Sequence, residues 1–401
     1  MSLLKRYLFS LFLILSMFNT RCHNSELKGQ VRLTNSINIL KTIRIRNPNK
    51  DSTIFLSEFA NEVKIIPLEF NLQCILGVIK KIIIVDNSIL IHDSQNNEGI
   101  FRFDMNGKFI CRIGKLGKGP QEHNTLTDFS INPDTKNIYI YSNTQRKVME
   151  YSLNNIFIKE TSLNFASENM EFKNNFFYMY RENPQLYESY NLIIKDMDGK
   201  TVARYFKSEN GKRTRSMKVF SIQQNHLLFN PSLNDTVYIL KGTNLEYAYL
   251  IDYGKHAIKT EDRLALMEWS NNVLKILNEN HYISGINNIL KINDTLFFTY
   301  VYQNIENRAF YNIKTGELVH SYSMMDDLTW FSFSNPISQT EDSFVAIYDP
   351  NSIENNIKNI NYHSGKLIPT EKAKAAIAKL NSIKQSNIDS MNPFVLLYKI
   401  N

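Results

Sequence analysis

The chain has 401 residues, of which 43% are hydrophobic and 12% aromatic. This supplies a core for one large all-β domain or two ordinary domains, and it excludes a chain that is disordered throughout. The net charge is +7, but the basic residues are dispersed, and the densest group spans only residues 212–215. Binding to nucleic acid would require a longer basic stripe or a recognisable module, so we predict no nucleic-acid partner.

The N-terminus carries an export signal. Lys5 and Arg6 precede an apolar run over residues 7–18, the pattern of a secretory signal, and this run is shorter than the roughly 20 residues that span a bilayer. Cys22 follows it and resembles the lipid-modified cysteine of bacterial lipoproteins. We predict a signal peptide over 1–22, lipidation at Cys22 and a tether over 23–50. The alternative is cleavage by the ordinary signal peptidase, which would leave no lipid anchor.

The remaining cysteines, Cys74 and Cys111, lie among apolar neighbours. A free cysteine behaves as a small buried hydrophobic residue, so we predict two unpaired thiols. The histidines are scattered, and no Cys/His spacing matches a zinc site. We therefore predict no metal and no cofactor.

From Glu62 onward, alternating apolar runs are interrupted by Asn, Asp, Gly and Pro. The first unit predicts four strands, at residues 78–85, 89–93, 100–104 and 109–113. Asn106-Gly107 lies between the last two and favours a type I′ hairpin turn, because both central residues of that turn need positive φ. Four strands in about forty residues are typical of one propeller blade.

The same arrangement recurs along the chain. The further units are at residues 129–152, 176–199, 219–240, 286–319 and 330–348, the last completed by 393–398. A recurrence every forty to fifty residues or so, with about four strands each, predicts a six-bladed β-propeller of four-stranded blades over residues 51–401.

Two stretches have helical spacing instead, at residues 260–278 and 370–384. We predict two short helical insertions between strands. Each is either a packing helix that covers a blade edge or a lid or partner-docking helix, since long insertions in compact domains are often functional.

Several phrases in order resemble a bacterial six-bladed β-propeller family of exported lipoproteins. They lie at residues 55–69, 103–122, 234–238, 251–254 and 392–399. This sequence departs from the family at His123, where an aromatic residue usually follows the acid after Gly-Pro. The resemblance implies the fold and a place in the cell envelope. It does not imply a chemistry, because one fold serves many functions.

The most unusual segment is the loop at residues 114–123, with three glycines, a proline and several polar side chains. One interpretation is a ligand-binding loop that recognises an anion or a sugar. The candidate binding residues are Lys115, Lys118, Gln121, Glu122, His123 and Arg102. The other interpretation is a fixed connector between blades, in which Glu122 caps backbone amides, because glycine and proline are primarily turn-formers.

Two functions stay open. The first is a binding module for an extracellular glycan, peptide or envelope protein, anchored to a membrane by its lipid. The second is a carbohydrate-active hydrolase or lyase at the mouth of the propeller channel. Its residues would have pKa values displaced in opposite directions. The absence of a nucleophile motif favours the binding module.

Overall fold

The computed structural model describes residues 41–49, 52–95, 99–182, 190–207, 218–231, 233–267, 273–385 and 391–401. The predicted signal peptide, Cys22, most of the predicted tether and the basic group at 212–215 lie outside these ranges. Within them, three strands precede the first blade: β1 (Lys41–Arg44), β2 (Ile54–Phe55) and β3 (Ala60–Pro67).

Six sheets follow, and they confirm the predicted six-bladed propeller. Blade 1 contains β4 (Ile79–Val85), β5 (Ser88–Asp93), β6 (Gly99–Asp104) and β7 (Phe109–Ile113). Blade 2 contains β8 (Asp128–Ile131), β9 (Ile138–Ser142), β10 (Lys147–Tyr151) and β11 (Phe157–Ser162). Blade 3 contains β12 (Asn169–Lys173), β13 (Phe176–Tyr180), β14 (Tyr190–Lys195) and β15 (Thr201–Lys207).

The second half of the ring recruits the N-terminal strands. Blade 4 contains β16 (Phe220–Ile222), β17 (Leu227–Phe229), β18 (Thr236–Lys241) and β19 (Asn244–Asp252), with β1 added in parallel to β19. Blade 5 contains β20 (Ile286–Ile292), β21 (Thr295–Tyr302), β22 (Ile305–Asn312) and β23 (Leu318–Ser321). The short β24 (Met324–Met325) pairs with β2. Blade 6 contains β25 (Ser338–Gln339), β26 (Ser343–Tyr348), β27 (Phe394–Ile400) and, as its outer strand, β3.

The structure differs from the sequence-based units at several elements. The strands β11 and β12 were not predicted, and the sixth blade begins at Ser338 and takes its outer strand from the N-terminus. Residues 41–44 fall in the segment predicted as a tether, yet they form a strand. Their hydrophobic positions explain this, because Ile43 and Ile45 are fully buried against blades 4 and 5.

Each helical insertion contains two helices. The first comprises Thr260–Met267 and Val273–Glu279, and the second comprises Ile353–His363 and Thr370–Gln385. In the second, Ile353, Ile360 and Leu380 are buried in the core between blades 5 and 6. The second pair of helices therefore packs against the core of the propeller.

The core is divided into layers between neighbouring blades. Ile89 and Ile91 of β5 pack in the cluster shared with blade 6, whereas Leu90 between them packs against blade 2. Successive side chains of a strand point to opposite faces of its sheet, and both faces of a blade are covered. Strands in the middle of a blade, such as β9 and β13, therefore appear in the sequence as apolar runs, not as strict apolar–polar alternation.

Antiparallel pairing gives the ring two distinct faces. Within each blade, the turn after the first strand and the turn before the fourth strand lie at one end, which we call the turn face. The turn between the second and third strands and the connection to the next blade lie at the other end, the connector face. By this topology, the loop at 114–123 and both helical insertions belong to the connector face.

Two glycines fix contacts between neighbouring blades. Gly107 of blade 1 has φ +83, and a Cβ added there would lie 1.9 Å from the carbonyl oxygen of Pro67 in β3. Gly199 of blade 3 has φ +80, and a Cβ there would lie 2.1 Å from the carbonyl oxygen of Ser162 in β11. Each hairpin turn thus lies directly against the outer strand of the preceding blade, at a distance that only glycine permits.

We expect Gly107→Ala and Gly199→Ala to destabilise the fold by about 2–4 kcal/mol each, since alanine adds left-handed backbone strain and a backbone collision. Gly316→Ala is the matched control, because Gly316 has φ +76 but its nearest neighbour, the Tyr311 hydroxyl, is 3.9 Å away. It should cost only the strain, about 1 kcal/mol. Urea unfolding measures the three values; equal losses would show that the close contact does not matter.

Candidate functional site

The six innermost strands β4, β8, β12, β16, β20 and β25 surround a central channel. A cavity of about 900 Å³ occupies this channel, and the turns that follow these strands, such as Pro133 and Lys136 or Thr340 and Asp342, form its rim. The cavity therefore opens on the turn face. Innermost strands also leave one edge without a β-sheet partner, so backbone amides and carbonyls face the channel.

A buried ionic cluster forms the floor of this cavity between blades 1, 2 and 3. The Lys81 Nζ lies 2.5 Å from Glu171 Oε1 and 3.1 Å from Asp128 Oδ1, and it donates to the Phe129 carbonyl at 2.7 Å. The Asp128 carboxylate accepts the Met170 amide at 2.8 Å. The Ser130 hydroxyl donates to Glu171 Oε2 at 2.7 Å. Three blades are thus joined by charged groups whose hydrogen bonds are largely satisfied.

The electrostatics of this cluster follow from its burial. Burial raises the pKa of Glu171, while the nearby Lys81 charge opposes that rise. Burial alone would lower the pKa of Lys81, but Asp128 and Glu171 more than reverse this, so its pKa lies above the ordinary value. Lys81 therefore stays protonated, and its single positive charge is shared by two carboxylates that would be costly to bury without it.

An uncharged contact joins blades 4, 5 and 6 on the opposite side of the channel. The Gln339 side-chain amide donates to the Lys291 carbonyl at 2.8 Å and to the Ile222 carbonyl at 3.2 Å. Its oxygen accepts the Lys291 backbone amide at 2.8 Å. Gln339, in the short strand β25, thereby supplies hydrogen-bond partners to backbone groups on the inner edges of blades 4 and 5.

Three further lysines line the wall of the cavity: Lys173 at the end of β12, Lys218 just before β16 and Lys291 in β20. Lys173 is only 6% exposed. No carboxylate of the described residues forms an ion pair with any of the three, in contrast to Lys81, and to Lys136, which lies 3.4 Å from Asp86. Within the described residues, the positive charge on the wall from blade 3 to blade 5 therefore has no ion-pair partner, although the more distant Asp134 partly offsets the effect of burial on the pKa of Lys173.

The titration behaviour of the wall reflects this charge. Burial, with a smaller effect of the Lys81 charge, lowers the pKa of Lys218 to about 8. Burial also lowers the pKa of Lys173. The pKa of His226 is lowered first by burial and then by the charges of Lys291 and Lys173. The field at this wall thus disfavours additional positive charge and favours an anion.

The loop at 114–123 lies apart from the cavity and is held mainly by its own contacts. The Glu122 carboxylate accepts the Gly119 amide at 2.8 Å and contacts Lys115 Nζ at 2.5 Å. These two contacts, Lys115 first, lower the pKa of Glu122. The Gln121 carbonyl accepts the Tyr151 hydroxyl at 2.7 Å. Glu122 caps a backbone amide, as the connector interpretation expects, while Lys118 is exposed.

The other two predicted binding residues are largely enclosed. His123 is 1% exposed, and burial, followed by the charges of Arg112 and Lys147, lowers its pKa to about 4. Arg102 donates to Ser88 Oγ at 3.0 Å and to the Leu153 carbonyl at 2.9 Å, which connects blade 1 to blade 2. The structure brings together Lys115, Gln121, Glu122 and His123, but not Arg102. Their role in ligand binding remains a prediction.

Sequence reasoning did not identify the cavity residues. Glu171 and Lys173 lie in β12, whose polar side chains at alternate positions concealed the strand, although polar residues within a strand are themselves a signal of a channel wall. Cys74 and Cys111 are free thiols. Among the described residues there is no cluster of three or more metal-ligating side chains. In the same ranges, no helix has the length and apolar character needed to cross a membrane.

The chain is thus a six-bladed β-propeller whose central cavity opens on the turn face. Residues 40–399 match the family described as domain of unknown function DUF4934, and the chain belongs to this family. No curated protein sequence matches it.

Among solved structures, the chain is similar to a Bacteroides fragilis protein described as exported, with 18% identity, a TM-score of 0.73 and coverage of 90% of this chain and 99% of the other. It also matches a member of the DUF4221 family from Bacteroides vulgatus, with 12% identity, a TM-score of 0.49 and coverage of 85% and 97%. The first likeness supports the propeller fold.

Two methionine substitutions should show that the paired Lys81 and the unpaired Lys173 contribute differently to stability. Lys81→Met leaves Asp128 and Glu171 buried without a cation and should destabilise the fold by about 3–5 kcal/mol. Lys173→Met removes a buried charge that has no carboxylate partner and should leave stability unchanged or raise it. Urea unfolding at pH 7 gives both values. A large loss in Lys173→Met would contradict the assignment of Lys173 as an unpaired charge.

Proposed function

We propose that this protein is an exported, membrane-tethered binding module, and that its extracellular ligand, a glycan, peptide or protein segment, occupies the cavity on the turn face. The observation that carries the proposal is the cavity itself. Its volume of about 900 Å³ lies within the 300–1,000 Å³ or so of ligand sites. Its wall combines backbone edges, neutral polar side chains such as Gln223 and Asn225, and lysines.

The cavity is a better candidate than the loop at 114–123 for a physical reason. In the loop, the Glu122 carboxylate is already engaged by Lys115 and by the Gly119 amide, so a ligand would have to replace these contacts. In the cavity, the ammonium groups of Lys173 and Lys291 have no ion-pair partner among the described residues. A ligand in the cavity could therefore contact these ammonium groups without displacing an existing ion pair.

Export and tethering are supported by the N-terminal sequence. Lys5 and Arg6 followed by the apolar run form the pattern of an export signal. Cys22 resembles the lipid-modified cysteine of lipoproteins, with Asn19 and Arg21 where the usual attachment motif has an aliphatic and a small residue. The similar Bacteroides fragilis protein is itself described as exported. A lipid at Cys22 would hold the propeller at a membrane surface while leaving it in the aqueous phase.

A second candidate function is catalysis on a carbohydrate at the channel mouth, as a hydrolase or lyase. Lys218, with a pKa lowered to about 8, lies in the same cavity as Glu171, whose pKa is raised. Groups displaced toward neutral pH are candidates for proton transfer. This observation favours a lysine base, but the ion pair between Glu171 and Lys81 gives that carboxylate a structural role already.

The site is tested by blocking the cavity. The purified protein is screened against glycan and peptide arrays, and hits are compared with Gln224→Trp/Glu341→Trp, which changes two exposed rim residues. We expect at least tenfold weaker binding, because indole rings would fill the entrance. Lys118→Trp on the connector face is the control and should bind normally.

If Lys118→Trp instead abolishes binding and the rim variant does not, the loop is the site and the cavity proposal is wrong. Mass spectrometry of the bound ligand after incubation distinguishes binding from turnover. An unchanged ligand supports a binding module, whereas a product that Lys218→Gln no longer forms supports the enzyme.

Lipidation has its own test. In a bacterial host that processes lipoproteins, the full chain should incorporate a labelled fatty acid and sediment with membranes. Cys22→Ser should lose both properties, because the thiol is the attachment point. Cys74→Ser is the control, since Cys74 is buried in the propeller. Label retained in Cys22→Ser would refute the anchor.

A further inference from the structure

The lysine wall specifies the chemistry of the ligand more closely than the cavity volume does. We propose that Lys173, Lys218 and Lys291 form an oxyanion-binding site, and that the ligand of the cavity carries a carboxylate, sulfate or phosphate group against this wall. The inference rests on the proposed function and deepens it, because it assigns a chemical class to the ligand.

Three successive blades contribute to the site. Lys173 ends the first strand of blade 3, Lys218 directly precedes the first strand of blade 4, and Lys291 lies in the first strand of blade 5. All three line the same cavity. The Lys218 ammonium donates to the Ile337 carbonyl, which leaves hydrogen-bond donors of that group for a ligand, since an ammonium has three.

The distribution of acidic groups leaves this wall positive. The carboxylates that line the cavity are Glu171, Asp86, Glu341 and Asp342. Glu171 shares the single charge of Lys81 with Asp128, and Asp86 pairs with Lys136. Asp342 accepts the hydroxyls of Thr340 and Ser343 at the rim. Glu341 is exposed in the same turn. The uncompensated lysines therefore lie along one side, with the free acids confined to the entrance.

Burial makes these charges costly without a ligand. A buried ammonium without a counter-ion is unfavourable and is normally paired in a folded protein. Lys173 is 6% exposed with no carboxylate within ion-pair distance among the described residues. An oxyanion in the cavity would supply the missing partner, and its oxygens could accept hydrogen bonds from more than one lysine.

The remaining wall indicates what surrounds the anionic group. Besides the lysines it presents amide and hydroxyl side chains, including Ser221, Gln223 and Asn225, and aliphatic ones, including Ile222 and Ile292. Phe220 and His226 are the aromatic rings among the described lining residues. A ligand with an anionic group on a neutral polar body, such as an acidic sugar or an acidic peptide side chain, matches this surface.

The test uses two aldehyde probes, one with a phosphate and one without. Pyridoxal 5′-phosphate and 5′-deoxypyridoxal, which lacks the 5′-hydroxyl that would mask the aldehyde as a hemiacetal, each form an imine with a lysine amine with loss of water, and borohydride reduces the imine to a stable amine. Peptide mass spectrometry then gives the labelling rate at Lys218. We expect the phosphorylated probe to label Lys218 at least tenfold faster, because its phosphate binds Lys173 and Lys291.

Lys173→Gln and Lys291→Gln should each remove most of this advantage. Lys136→Gln is the control, since Lys136 lines the cavity but is paired with Asp86, and it should keep the advantage. Thermal unfolding of every variant establishes that each remains folded. Protection of Lys218 by glucuronate, sulfate or inorganic phosphate then distinguishes the possible sources, and the anion that protects at the lowest concentration identifies the class.

Equal rates for the two probes would overturn the oxyanion site while leaving the cavity as an accessible binding site. An advantage that survives in Lys173→Gln and Lys291→Gln would overturn it as well. If neither probe labels Lys218 in the folded protein, the cavity does not admit a ligand, and the proposed function fails together with the inference.

Discussion

The contact of Lys81 with Asp128 and Glu171 is the interaction on which the channel depends. Each partner comes from a different blade, and the two carboxylates are almost completely buried. Without the ammonium, two like charges would face each other in a dry environment, where neither is tolerated. With it, hydrogen bonds hold the inner edges of blades 1, 2 and 3 together, and the cluster forms the floor of the cavity.

The rest of the ring is joined differently. Blades 4, 5 and 6 meet through the neutral amide of Gln339, which donates to the carbonyls of Ile222 and Lys291. Lys218 adds a link from blade 4 to blade 6 on this side, because its ammonium donates to the Ile337 carbonyl. Proteins accept locally unfavourable features mainly where function requires them. Lys173, Lys218 and Lys291, which form no ion pair among the described residues, fit that pattern. They place positive charge on one side of the channel, which a symmetric ring would not do.

The sequence predicted the architecture well because blades repeat. Hairpins such as the one at Asn106-Gly107 carry strong turn signals, and β5 and β9 are buried at every position. The predicted type I′ turn was wrong, because Gly107 has positive φ but Asn106 does not. The strand β11 was missed because most of its side chains are exposed on the outer edge. The helix Ile353–His363 was also missed, since its buried positions include a polar residue, Asn356.

The cavity could not be predicted for a related reason. Its charged residues are distant in sequence, and their meeting depends on closure of the ring, which no local pattern encodes. Lys81 appears as an ordinary charge within a predicted strand, and Glu171 lies in β12, which was not predicted. The loop at 114–123 attracted attention by its composition, but composition did not reveal that Glu122 contacts Lys115 and the backbone of the same loop.

The closing strand has a consequence for how the molecule is made. Phe394 pairs with Pro67, although nearly the whole chain separates them in sequence. The strands β1 and β2 likewise pair with the distant strands β19 and β24. Contacts so distant in sequence slow folding, because the loop must close before they contribute. During synthesis, β3 therefore exposes Ile66 and an unpaired edge until the final strand arrives. Such an edge can pair with other chains, so the unfinished propeller is the state that the cell has to protect.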